Sequence, residues 1–153
     1  MLARFAKAGG AQELVALVPE ALDVVDRHLD DVVSGTVPLE KLVVTRRVSK
    51  PLGDYRQVND AVAALHQLEE EGIEVNPGEQ VRFVITCAKS RDLGRRVKAE
   101  PLLSDGDYDP GAYVDLLLRA AETMLMPMGW DRERMLGRMT GNGPEKCQFR
   151  GLF

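Results

Sequence analysis

Cysteine is nearly absent from this chain. Cys87 and Cys147 stand alone among 153 residues, too few for a disulfide scaffold, and such scarcity points to a reducing, cytoplasmic compartment. Cys87 falls in an apolar, strand-like run and reads as a small core residue. Histidine is as rare. His28 and His66 each lie in an expected helix, as solvated or rim residues, without a Cys, His or carboxylate at zinc-ligand spacing, so no metal site is read from them. No apolar run approaches the roughly 20 residues that a membrane span needs. The positive charges of MLARFAKAGGAQ have no long apolar core behind them, which argues against a secretory signal.

Catalytic motifs are missing as well. There is no GxxxxGK[ST] phosphate loop; Gly141-Asn142-Gly143-Pro144 resembles one only superficially, because Pro144 removes a donor that such a loop needs. No Ser-His-Asp or Cys-His set follows from spacing. Carboxylates are abundant but form no two-metal or acid/base pattern. The sequence therefore shows no catalytic residue, and no cofactor is expected on this chain. Met124, Met126 and Met128 read as core and rim packing rather than as ligands.

What is present is an ordinary globular mixture, 44% hydrophobic and 29% charged, which excludes collagen-like, mucin-like and wholly disordered chains. A single domain of this length buries roughly 70% of its unfolded surface. The net charge is −4, but its distribution is uneven. More than half of the 20 Lys and Arg residues fall in two windows. One holds Lys41, Arg46, Arg47, Lys50 and Arg56; the other holds Arg82, Lys89, Arg91, Arg95, Arg96 and Lys98. The acids gather elsewhere, over 13–31, 69–79 and 105–109. Such segregation makes either a one-sided electrostatic footprint or two solvated basic loops.

The periodicity predicts a mainly helical α+β chain with a small antiparallel β element. Leu14, Val18, Ala21, Val25, Leu29 and Val32 form one stripe of a helix over 11–34. Pro19 should kink or restart it, and Gly35 should stop it. Residues 38–42 read as one helical turn, 43–48 as extended, and 49–53 as a loop. A second helix spans 60–71, capped by Asn59 or Asp60, with Val62, Leu65 and Leu68 inward and Gly72 at its end. Ile73–Val75 reads as a short strand and Asn76–Glu79 as a turn. Val81, Phe83, Ile85 and Cys87 alternate with Arg82, Val84 and Thr86, the pattern of a strand with one buried face. Residues 88–100 lack a period and read as a loop. Asp109-Pro110 starts a helix to about Met126, with Tyr113, Leu117, Ala120 and Met124 inward. A last short helix reaches about Arg138, and 139–153 reads as a flexible tail.

The order of these pieces resembles the C-terminal thumb region of family B DNA polymerases, most closely the archaeal replicative type. VPLEKLVVTRRVSK and GIEVNPGEQVRFVI carry the likeness, which covers roughly residues 11–138. It implies a thumb domain over 35–138, a helical lead-in from the palm over 1–34, and the tail over 139–153. It further implies a lobe that grips primer–template duplex behind the active site, through phosphates. On that basis Thr45, Arg46, Arg47, Ser49 and Lys50 form one nucleic-acid contact group, and Arg95, Arg96 and Lys98 a second. The charge map fits independently, since Lys and Arg hold phosphates while hydroxyls and amides fix register.

The chain also departs from the family. The palm motifs DxxSLYPS, KxxxNSxYG and YxDTDS are absent, so the chain is expected to be inactive alone and to work with a palm-bearing polymerase chain or the remainder of a polymerase. Met1 stands where palm should hand over to thumb, which suggests an excised domain or the small subunit of a polymerase encoded in pieces. Glu69-Glu70-Glu71 makes the second helix more acidic than the family pattern. Archaeal relatives often end in a sliding-clamp-binding tail; here Gln148, Leu152 and Phe153 are its candidates, with short spacing and Gly151 at the aliphatic position. Two other readings compete. One is an assembly module that binds a larger polymerase chain with little DNA affinity of its own. The other is an unrelated small-molecule enzyme, which would need a pocket of convergent polar groups that the sequence does not indicate.

Overall fold

Leu14 to Val32 repeat apolar residues at helical spacing, and the computed structural model, which describes residues 9–140, has helix α1 over Ala11–Ser34. Val18, Ala21, Leu22, Val25, Leu29 and Val32 are buried along one face. Pro19 does not interrupt it. The carbonyl a proline leaves unbonded is that of the residue four back, Val15. Val15 is exposed, so water can satisfy it. Gly35 closes the helix at φ 77°, the left-handed conformation that glycine adopts at no steric cost.

The chain divides into two compact units, one formed by the segments up to Thr36 and from Val114 on, the other by Val37–Tyr113. The first is helical. Besides α1 it holds most of α4 (Pro110–Leu125) and all of α5 (Arg132–Thr140). Val114, Leu118, Ala121, Leu125 and Met135 are buried. Arg138 pairs with Asp23 at 2.5 Å and Asp26 at 3.6 Å, and Arg132 pairs with Asp115.

The second unit is a three-stranded antiparallel sheet with one helix against it. Strand β1 is Val44–Arg47, β2 is Gln80–Ile85 and β3 is Val97–Ala99, in the order β1-β2-β3. Helix α2, Asp60–Glu70, supplies Ala63, Ala64, Leu65 and Leu68 to a core shared with Val48, Val81, Phe83, Val97 and Ala99. The Asn59 side chain caps α2 by accepting from the Val62 amide at 3.1 Å. Register is explicit: Val44, Phe83 and Ala99 lie in one row, Thr45 faces Arg82, and Lys98 faces Val84. The turn over Asn76–Glu79 forms as expected, with Gly78 at φ 99° and Glu79 N–H on the Asn76 carbonyl at 3.0 Å. The fold class is therefore the mainly helical α+β arrangement expected.

Several local expectations are corrected. Ile73–Val75 is not a strand; Gly72 turns at φ 75° and Ile73 N–H returns to the Leu68 carbonyl at 2.8 Å, so the segment closes a helix. Residues 88–100 are not one loop. They hold the single-turn helix α3, Leu93–Arg96, capped by Asp92, and then β3. Elements this short show no period. Val84 is buried with Val81 and Phe83, so β2 is covered on both faces at that point. Cys87 lies beyond the last paired residue of β2 and is exposed, not core. On α4 the buried stripe is Tyr113, Val114, Leu118, Ala121 and Leu125, and Met124 is 46% exposed. The run Leu116-Leu117-Leu118 offers adjacent apolar stripes of equal regularity, and burial selects the one through Leu118. Met126 is also exposed and Met128 is half-buried, so of the core and rim packing expected there only a rim position at Met128 is found. Of the tail over 139–153, residues 141–153 lie outside the described residues.

A candidate nucleic-acid interface on the sheet

Successive strand residues point to opposite faces, and residues paired across antiparallel strands share a face. Val44 packs against the α2-covered core, so Arg46 belongs to that face and Thr45 and Arg47 to the other. Arg46 is exposed, opposite Val81. On the face away from α2, the register sets Thr45 against Arg82, Arg47 against Gln80, and Lys98 against Val84. The sheet therefore brings together Thr45, Arg47 and Lys98 from the two expected contact groups. It splits Arg46 from Arg47. It also adds Arg82, which belongs to a basic window of the sequence but not to the expected contacts; the alternation of β2, with Val81 and Phe83 buried, is the signal for it.

Ser49 and Lys50 occupy the loop after β1. Tyr55 Oη accepts from the Ser49 amide at 3.2 Å and lies 3.4 Å from its hydroxyl. The hydrogen bonds from the Ser49 side chain and then its backbone lower the Tyr55 pKa from its usual value. Lys50 folds back on the same loop, donating to the Asp54 carbonyl at 2.6 Å and lying 4.8 Å from the Tyr55 ring centre. No ion pair to a described residue holds Arg46, Arg47 or Arg95.

The second group is engaged differently. Arg95 and Arg96 are on α3, with Arg95 exposed. Arg96 Nε lies 3.4 Å from Asp60 at the start of α2, an ion pair without hydrogen-bond geometry. Lys98 donates to Asp107 at 2.6 Å, and Asp107 also accepts from the Ser104 amide at 2.7 Å. These bonds, Lys98 first, hold the Asp107 carboxyl below the usual value near 3.8. Arg82 pairs with Glu100 at 2.9 Å.

One residue that carries no charge positions this segment. Gln67 on α2 donates to the carbonyls of Gly94 at 2.8 Å and Val97 at 2.9 Å, and accepts from the Ala99 amide at 2.8 Å. A glutamine inside a helix gives no sequence signal of such a role. Tyr113 does similar work within the same unit, accepting from the Ile85 amide at 3.0 Å and donating to the Leu42 carbonyl at 2.7 Å. Burial raises its pKa. Gln148, Leu152 and Phe153 lie outside the described residues. Among the described residues, no group of three or more His, Cys, Asp or Glu could hold a metal, and no helix is long and apolar enough to cross a membrane.

Fold and sequence comparisons define a class. No family model matches the chain. Its fold is similar to that of the family B DNA polymerase from the hyperthermophilic archaeon Pyrobaculum calidifontis, with a TM-score of 0.59 over 77% of this chain and 15% of that one, at 21% identity. In sequence it is 31% identical over 121 residues to DNA polymerase 2 of Aeropyrum pernix, and 29% identical over 122 residues to the DNA polymerase of Thermococcus aggregans. These alignments cover 78% and 76% of this chain but only 15% and 6% of the two relatives. The likeness to archaeal family B DNA polymerases read from the sequence is borne out, and it is a likeness to one segment of them.

Proposed function

We propose that this chain is the thumb portion of a family B DNA polymerase, with the thumb over 35–138, and that it grips primer–template duplex through backbone phosphates. It carries no catalytic residue and works beside a palm-bearing polymerase chain or the remainder of the polymerase. The observation that carries this reading is the register of the sheet, which sets Thr45, Arg47, Arg82 and Lys98 on one face. Arg47 from one window and Arg82 from the other share that face with a hydroxyl donor, a combination suited to phosphate oxygens, and Lys98 lies farther along it opposite the buried Val84. The similarity to archaeal DNA polymerases supports it.

Fluorescence anisotropy of a primer–template duplex with the full chain, at two salt concentrations, tests it. Phosphate contacts predict affinity that falls steeply with salt. Binding that is absent or insensitive to salt would refute the grip.

A specific observation favours a second reading. Arg82, Arg96 and Lys98 already face carboxylates, and the chain is net negative. An assembly subunit with little DNA affinity of its own fits that balance. It predicts capture of the palm-bearing chain without DNA, and a pull-down that yields no complex removes it. A sliding clamp is a further partner proposed for Gln148, Leu152 and Phe153.

A further inference from the structure

We infer that Arg82 is the central phosphate contact of the sheet face and that Glu100 is its built-in competitor, so that the duplex binds by exchanging a carboxylate for a phosphate; this rests on the duplex-grip reading. Arg82 is flanked by Thr45 on β1, and Glu100 follows Ala99 directly on the other side. Its guanidinium is half exposed, so it is open to a ligand while it pairs with Glu100 at 2.9 Å. A carboxylate and a phosphate diester present similar acceptor oxygens to a guanidinium. Thr45, Arg47 and Gln80 are exposed beside it on the same face, and Gln80 and Thr45 add neutral donors. The surface is therefore complementary in charge to a polyanionic backbone and carries, just past its β3 edge, an anion of its own that reaches the central Arg82. Lys98 repeats the arrangement one row along, held by Asp107. Removing the competing anion frees the cation for phosphate and strengthens binding. A cation that is paired in the free chain must lose that partner first.

A double-mutant cycle on the full chain tests this by duplex anisotropy at fixed salt. Glu100→Gln should tighten binding about two- to fivefold, the weight of a half-exposed ion pair. Arg82→Gln should weaken binding and lower the salt slope by about one. In Arg82→Gln the Glu100→Gln substitution should no longer tighten binding, because the pair it relieved is gone. If Glu100→Gln tightens binding equally with and without Arg82, it acts only through net charge, and the exchange is wrong. If neither substitution changes affinity while the native chain binds in a salt-sensitive way, Arg82 is not a contact and the grip lies elsewhere. If the native chain and Glu100→Gln both fail to bind, the grip itself fails and the exchange fails with it. Thermal melting of each variant separates these results from loss of fold.

Discussion

The two basic segments are alike in composition but differ in how most of their cations are held; Arg95 alone of the second contact group is exposed without an ion pair to a described residue. Arg46 and Arg47 sit on an edge strand, exposed, with no ion pair to a described residue. In the second segment Arg96 and Lys98 face Asp60 and Asp107, and Arg82 at the centre of the sheet faces Glu100. The attachment differs too. The first segment is fastened by its flanks, Val44 packed against the core and Val48 buried in it. The second is fastened by side-chain hydrogen bonds from Gln67. A free cation on a pleated edge keeps its hydration and can meet phosphate at once, whereas a paired one must first give up a partner. Charge counted along a sequence cannot distinguish the two states; only register and partners can.

The largest test is one that should erase the contrast. Phe83 stands between Val44 and Ala99 in the sheet and is buried. Phe83→Ala should destabilise the sheet unit by about 3–5 kcal/mol, read by denaturant unfolding. Hydrogen exchange should then rise in both β1 and β3. A rise in one strand alone would mean that the two segments do not share this core.

Next in size is charge reversal of the first segment. Arg46, Arg47 and Lys50 changed together to Glu should weaken duplex binding at least about 100-fold, or about 3 kcal/mol, with little change in Tm. Unchanged affinity would leave the second segment as the working one and invert the comparison. Gln67→Ala acts on the other side. It leaves the carbonyls of Gly94 and Val97 and the amide of Ala99 without their partner, costing about 1–3 kcal/mol. Faster exchange at Ala99 and native-like exchange in β1 are expected; uniform loosening would show that α2 supports both segments equally.

Much of this frame was legible in the sequence. The 3.6-residue stripe of α1, the Asn59 cap, the Asn76–Glu79 turn and the Asp109-Pro110 start are local signals with local causes, and each recurs in the structure. The errors arose where tertiary context decides. Elements of three and four residues, such as β3 and α3, are shorter than any period that could reveal them. The Leu116-Leu117-Leu118 run fits more than one helix face, and burial selects Leu118. Cys87 reads as core only if β2 continues to it, and pairing stops at Ile85. At the candidate site the residue types were visible but the grouping was not. Arg46 and Arg47 are neighbours in sequence and on opposite faces of the pleat, while Arg47, Arg82 and Lys98 share a face through pairing that no window spans.

The smallest expected effect concerns the second segment's paired state. Lys98 and the Ser104 amide together lower the pKa of Asp107 below its usual value near 3.8. A group whose folded pKa is depressed adds stability above the unfolded value and loses it as pH falls through the folded one. Asp107→Asn should therefore lower Tm at neutral pH by about 1–3 °C, since the pair is partly exposed and screened. The gap between native chain and variant should begin to narrow near the unfolded value of about 4 and close as pH falls on through the lower folded value, where the native carboxylate gains its proton. The same substitution frees Lys98 for phosphate, so stability and duplex affinity should move in opposite directions at neutral pH. A variant that loses both would place Asp107 among the groups that hold Lys98 in position, and the second segment would then resemble the first more than its ion pairs suggest.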